Sequence, residues 1–137
     1  MPADFTKKMT PATIGQGVHD LARFRQFAKE EAAVTIVYED EDQTLVVWNL
    51  EPGQENAIHV HPTNAHTMMI LEGEGQLLRG DGGQAAVKTG DCLIVPRTVL
   101  HGIRNTGRGR LSYLAVTTNG PQGYVKQNSD GSQVDVH

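Results

Sequence analysis

His59 and His61 stand one residue apart, His66 follows after Pro62-Thr63-Asn64-Ala65, and His101 lies far downstream in His101-Gly102-Ile103-Arg104-Asn105. Imidazole nitrogen is a ligand for zinc, copper, iron and nickel, so the chemistry these residues offer is metal binding. On an extended segment alternate side chains share a face, which sets His59 and His61 on one side. The proline and asparagine after them suit a tight turn that would bring His66 back alongside. A lone histidine is usually a surface or partly buried residue and no ligand. Four of them with prolines and glycines at the intervening turns read instead as one metal site. His19, in a charged amino-terminal stretch, and His137, the last residue, are expected to be exposed.

The elements that must position these rings are short. Strand-prone runs fall at 33–38, 44–50, 57–61, 66–71, 75–79, 85–87, 92–95, 101–104 and 111–117. Between them stand turn formers such as Pro52-Gly53, Gly80-Asp81-Gly82-Gly83, Thr89-Gly90-Asp91 and Asn105-Thr106-Gly107. This spacing predicts an all-β sandwich or barrel, and taken strand by strand it reads as a meander. Before it, residues 20–30 have the apolar spacing of a short helix capped by Asp20, either as a lid or as an arm over a sheet edge. Cys92 sits in the apolar run Asp91-Cys92-Leu93-Ile94-Val95, where a lone cysteine is expected to act as a small core residue.

The chain has 137 residues, enough for one domain with one core. We divide it into an arm with a short helix at 1–32, a barrel at 33–120 and a partly mobile carboxy-terminal extension at 121–137. Its net charge is −4 and its Lys and Arg are scattered, so no basic stripe exists to track a phosphate backbone, and nucleic acid is not expected as a partner. No apolar run is long enough to span a bilayer, and no membrane association is expected. One cysteine permits no internal disulfide, which fits a cytoplasmic protein.

Taken together, the residues Gly53, His59, His61, His66 and Gly73 resemble the first motif of the cupin family. That motif runs Gly, five residues, His-x-His, three or four residues, Glu, six residues, Gly. Gly90, Pro96, Thr98, His101 and Asn105 are similar to the second motif, which runs Gly, five residues, Pro-x-Gly, two residues, His, three residues, Asn. Two positions depart: His66 stands where the family has a glutamate ligand, and Thr98 where it has a glycine. The resemblance implies a double-stranded β-helix, or jelly-roll, cupin barrel. It also implies that His101 joins the other three rings around one divalent transition metal, with Zn, Mn, Fe, Ni and Cu all open. Replacing a carboxylate by His66 leaves a bound dication its full charge and makes it a stronger Lewis acid. Four protein ligands on an octahedral ion would leave two positions for substrate. Asn105 is expected to shape a turn and not to touch the metal.

Three functions are compatible with that resemblance. One is dioxygenase-type oxidative cleavage of a small enolisable or phenolic substrate. The second is a non-redox isomerase, lyase or polyketide cyclase that uses the ion only as a Lewis acid. The third is a non-catalytic metal- or metabolite-binding cupin. Parity with His59 puts Glu55 inward if the strand extends back that far, making it a candidate catalytic base; otherwise it is an exposed loop glutamate. Parity with His66 puts Met68 and Ile70 inside, and with Trp48 and Tyr113 they are the candidate substrate pocket. Tyr124 is the remaining candidate aromatic. Cupins commonly pair through sheet edges, so a homodimer is expected, with 33–38 as the strand to exchange or abut.

Overall fold

In the run His66-Thr67-Met68-Met69-Ile70 the first, third and fifth side chains are buried and the other two exposed. That two-residue period belongs to a strand with one face on a core. It recurs around a barrel. The computed structural model describes residues 14–118 throughout, together with the backbone of three short strands outside them. The strands are β1 (Met9–Pro11), β2 (Ala33–Glu39), β3 (Gln43–Leu50), β4 (Glu55–His59), β5 (His66–Glu72) and β6 (Glu74–Arg79). They continue as β7 (Gln84–Lys88), β8 (Cys92–Val95), β9 (His101–Arg104), β10 (Leu111–Thr118), β11 (Val125–Gln127) and β12 (Gln133–Asp135).

One sheet has the order β1-β2-β3-β10-β5-β8 and a second the order β4-β9-β6-β7. β10 is held between β3 and β5, so the meander expected from the strand spacing is incorrect and the all-β jelly roll stands. Alternation marks which face is buried and carries no information on which strand lies alongside. The core between the sheets comprises Val34, Val46, Trp48 and Leu50, Met68 and Ile70, Leu93 and Val95, and Leu111, Tyr113 and Ala115, closed from the second sheet by Val87 and Ile103. Each such side chain contributes about 1.5–3 kcal/mol on leaving water.

The helix expected over 20–30 is reduced to a single 3-10 turn, Leu21–Phe24, with the Asp20 carboxylate accepting from Ala22 N at 3.0 Å. The Phe24 carbonyl accepts from Asn49 Nδ2 at 2.6 Å and from Gln26 N at 3.0 Å, and neither is the bond from four residues on that would continue a helix. Phe24 packs with Val37 and Val47 on the outward face of the larger sheet. This arm covers a sheet face and is no lid. Cys92 is exposed, because Leu93 and Val95 take the inward positions of β8, and the expected core role fails. His19 is half-buried, its Nε2 2.6 Å from the Gly15 carbonyl. The run 33–38 is not an open edge, since β1 pairs with it in parallel from Val34 to Ile36. The carboxy-terminal extension contains the hairpin β11–β12, and His137 and Tyr124 lie outside the described residues. Among the described residues no helix is long and apolar enough to cross a membrane.

Candidate metal centre

β4 and β9 carry the first pair of rings: His59 lies directly opposite His101. Between Asn56 and His59 the register slips, so β4 carries an extra residue against β9, a β-bulge. Gly102 allows the close crossing there, because a Cβ on it would come within 2.7 Å of the Asn56 carbonyl and 2.9 Å of Ile58 N. His61 follows β4 and is pinned through its carbonyl, which accepts from Thr98 N at 2.9 Å. The turn to His66 is tied to the end of β10. Asn64, buried, donates through Nδ2 to the Thr118 carbonyl, Ala65 N donates to Thr118 Oγ1 at 3.1 Å, and Thr118 N donates to the Ala65 carbonyl at 3.1 Å. His66 then opens β5 between Thr117 and Val95.

The result is a buried group of imidazoles with defined orientations. His59 Nδ1 lies 2.7 Å from the Ala57 carbonyl and His101 Nδ1 3.0 Å from the Val99 carbonyl. A carbonyl only accepts, so both Nδ1 atoms carry the proton and both Nε2 lone pairs are left for a ligand. One nitrogen from each of His59, His61 and His101 lies within 4.8 Å of the other two. His66 stands beside this trio and not in it. Its Nδ1 is 3.3 Å from His101 Nε2 and its ring centre 3.8 Å from that of His61, but 6.5 Å from that of His59.

Burial disfavours the charged form of every ring. It lowers His59 from the usual 6.5 to about 4 and His66 to about 3, with repulsion from His101 adding to both. His61 is pushed lowest, by burial and then by His66, His59 and His101, and His101 is lowered by burial. At neutral pH all four are therefore uncharged, the state in which imidazole binds a metal. Three neutral imidazole nitrogens within 4.8 Å of one another, two of them on rings oriented by backbone carbonyls, are a donor set whose chemistry fits a transition-metal ion.

Glu55 is exposed and lies outside the histidine trio. The parity argument for it fails at the bulge. The extra residue turns Asn56 inward in its place, and Asn56 Nδ2 donates to the Tyr113 hydroxyl at 3.1 Å. Nothing in the spacing of the sequence marks that residue, since a bulge leaves no compositional trace here. Tyr113 is fully buried and stacked on Trp48 with ring centres 6.3 Å apart, and Met68 and Ile70 lie in the same core. Burial also holds the Tyr113 proton well above its usual range. Asn105 shapes a turn as expected, donating to the Leu50 and Gly109 carbonyls and accepting from Gly107 N.

A two-sheet jelly roll with a histidine cluster at one end of its barrel defines a class of small double-stranded β-helix domains. Residues 46–117 match the family described as Cupin domain, and the chain belongs to the cupin family. It is similar to an uncharacterized protein with a double-stranded β-helix domain from Klebsiella pneumoniae subsp. pneumoniae MGH 78578. Identity is 29%, the TM-score 0.74, and coverage 80% of this chain and 96% of that one. It is similar to the TT1209 protein of Thermus thermophilus, at 29% identity and TM-score 0.70 over 76% of this chain and 98% of that one. A predicted oxalate decarboxylase from Thermotoga maritima is 25% identical, with a TM-score of 0.59 over 64% of this chain and 79% of that one. No curated protein matches the chain.

Proposed function

We propose that the chain is a metal-dependent cupin enzyme acting on a small oxygen-bearing substrate, enolisable or phenolic, by dioxygenase-type oxidative cleavage. The observation that carries this reading is the convergence of one nitrogen each from His59, His61 and His101 within 4.8 Å, with two of the rings locked by backbone carbonyls. These three hold the ion, and His66 stands within reach as a fourth donor. When bound, the ion supplies Lewis acidity and, if redox-active, a means of handling dioxygen. The chain's own part is to orient and to exclude water. The Ala57 and Val99 carbonyls fix which nitrogen each ring presents. Trp48, Met68, Ile70 and Tyr113 give the interior its apolar wall, and the Asn56 amide and Tyr113 hydroxyl are the polar groups set into it. Burial keeps the Tyr113 proton on its oxygen, so this group positions and does not act as a base.

A second reading is a non-redox isomerase, lyase or cyclase. The uncharged donor set favours it, because an ion with no carboxylate ligand keeps its whole formal charge for polarising a carbonyl. Oxygen uptake separates the two. The chain, reconstituted with iron, manganese, nickel, copper or zinc in turn, is given diketone and phenolic substrates in an oxygen electrode. Substrate loss with matching oxygen consumption is expected with a redox-active metal. Turnover without oxygen, zinc included, overturns the dioxygenase reading in favour of the second, and bound metal with no turnover leaves a binding protein. The single cysteine and the absence of any internal disulfide support work in a reducing cytoplasm.

A further inference from the structure

The larger sheet carries an irregularity of its own, on β5. Ser112 of β10 lies opposite Glu72 and Tyr113 opposite Ile70, so Leu71 is an extra residue on β5, a β-bulge. Ile70 is buried in the core, and period two alone would turn Glu72 inward with it. The bulge turns Glu72 outward instead, onto the face that the arm covers. There the Arg25 guanidinium donates to both its oxygens, at 2.7 and 2.8 Å.

Between the arm and this face, beside the bulge, is a cavity of about 430 Å³, a size typical of small-molecule sites. No histidine lines it, so it is separate from the metal centre. Leu21, Val47 and Leu71 give it an apolar floor. Its walls are held in place before any ligand arrives, which lowers the cost of binding. Asn49 Nδ2 fastens the Phe24 carbonyl at 2.6 Å, Glu72 fastens Arg25, and Gln54 Nε2 donates to the Ala28 carbonyl at 2.8 Å. The polar groups on the walls are of one kind. Arg25 is spent on Glu72 and lies over the Phe27 ring, 5.6 Å from its centre. Ser112 is buried and donates to Asn49 Oδ1 at 2.6 Å, which leaves its oxygen able to accept. Asp20 accepts from Ala22 N through one oxygen, and none of the ion pairs among the described residues uses it. Two carboxylates against one guanidinium give the lining a net charge of −1. Such a cavity is complementary to a cation that carries hydrogen-bond donors.

We propose that this cavity is a second binding site, distinct from the histidine cluster, and that its ligand is a small primary amine with an apolar body. The ammonium donates to the Asp20 carboxylate, with the Ser112 oxygen as a further acceptor, and the body lies on Leu21, Val47 and Leu71. An ammonium suits this because it offers three donors and accepts nothing. The site does not depend on the metal reading above.

The test titrates the full chain, metal-free and zinc-loaded, with hexylamine, hexanol and hexanoate, which share one apolar body and differ in charge. Amide chemical shifts in NMR report where each binds. Shifts are expected at Asp20 to Arg25, Val47, Leu71, Glu72 and Ser112, alike in both forms, with hexylamine bound about fivefold more tightly than hexanol and hexanoate the weakest. Asp20→Asn keeps a side-chain oxygen for Ala22 N, because asparagine caps as well as aspartate, and should bring hexylamine to the level of hexanol. Asp81 is the control, an exposed carboxylate that accepts in the same way from Gly83 N at 2.7 Å on the other sheet, and Asp81→Asn should leave hexylamine binding unchanged. Equal affinity for the three ligands overturns the amine assignment, and so does hexanoate binding best, which would make Arg25 the anchor. An equal loss in Asp81→Asn would mean a diffuse attraction and overturns it as well. Shifts confined to the histidine cluster, or none at residues 20–25 at any ligand concentration, overturn the site itself.

Discussion

His66 is the residue at which this chain departs most from the family pattern, and its position explains what the departure does. Its Nδ1 faces His101 Nε2 at 3.3 Å while its ring stays 6.5 Å from that of His59, so it meets the donor trio from one side. His101→Ala removes a member of the trio and is expected to lower metal content by tenfold or more, measured by elemental analysis, with an unchanged strand signature in circular dichroism. His66→Glu should keep the metal and change activity, because a carboxylate withdraws a unit of formal charge from the ion. Identical activity would show that the fourth ring does not tune the chemistry. The same burial makes the metal-free protein sensitive to acid. Above about pH 6.5 the rings are neutral folded and unfolded, and stability is complete. As the pH falls toward about 4 for His59 and about 3 for His66, the unfolded chain binds protons that the folded one refuses. Stability then falls by about 1.4 kcal/mol per pH unit for each ring involved. Urea titrations of the metal-free chain at several pH values read this slope, and a flat profile from pH 7 to 5 would contradict it.

At the scale of elements the site depends on one irregularity, the bulge in β4. It brings His59 opposite His101 and turns Asn56 inward, and it needs Gly102 beneath it. Gly102→Ala is expected to cost about 2 kcal/mol or more, since the clash is with backbone that cannot step aside. Thermal unfolding and metal content should fall together. Thr98 supplies the opposite case. It holds φ at 73° where the family motif has glycine, a conformation that is costly for a β-branched residue, while its N–H fastens the His61 carbonyl. Thr98→Gly relieves that strain but frees the unfolded chain, so a gain of about 0.5–1 kcal/mol is expected, read as a raised melting temperature. These two sites also mark how far the sequence is legible. The alternation His66-x-Met68-x-Ile70 shows its buried face directly. Strand parity and a turn group His59 and His61 with His66, whereas the trio in the structure takes His101, which only the motif resemblance supplies, and leaves His66 beside it. The bulge at Asn56 is not legible either, because period two has no mark for an inserted residue, and so parity assigns Glu55 the place that Asn56 takes. Cys92 fails for a related reason. In an unbroken apolar run such as Cys92-Leu93-Ile94-Val95 either parity could be the inward one.

For the whole molecule the question is where the larger sheet ends. The expectation of pairing through 33–38 presumed an open edge, but β1 lies along that strand in parallel over three residues. A parallel pairing of that length is a weak contact by itself and is of the kind that two copies can exchange at little cost, each supplying the same strand to its partner. We therefore retain the homodimer as a proposal, with β1 as the exchanged element in place of 33–38 as the abutting one. Light scattering on the eluting peak should give twice the 14.9 kDa of the chain. Removing residues 1–11 should shift it toward the single mass while leaving metal content intact, because the histidine trio draws only on β4, the residues just after it and β9. A mass of one chain at every concentration would refute the dimer and assign β1 to its own barrel. A dimer that survives the truncation would refute the exchange and leave pairing to another edge.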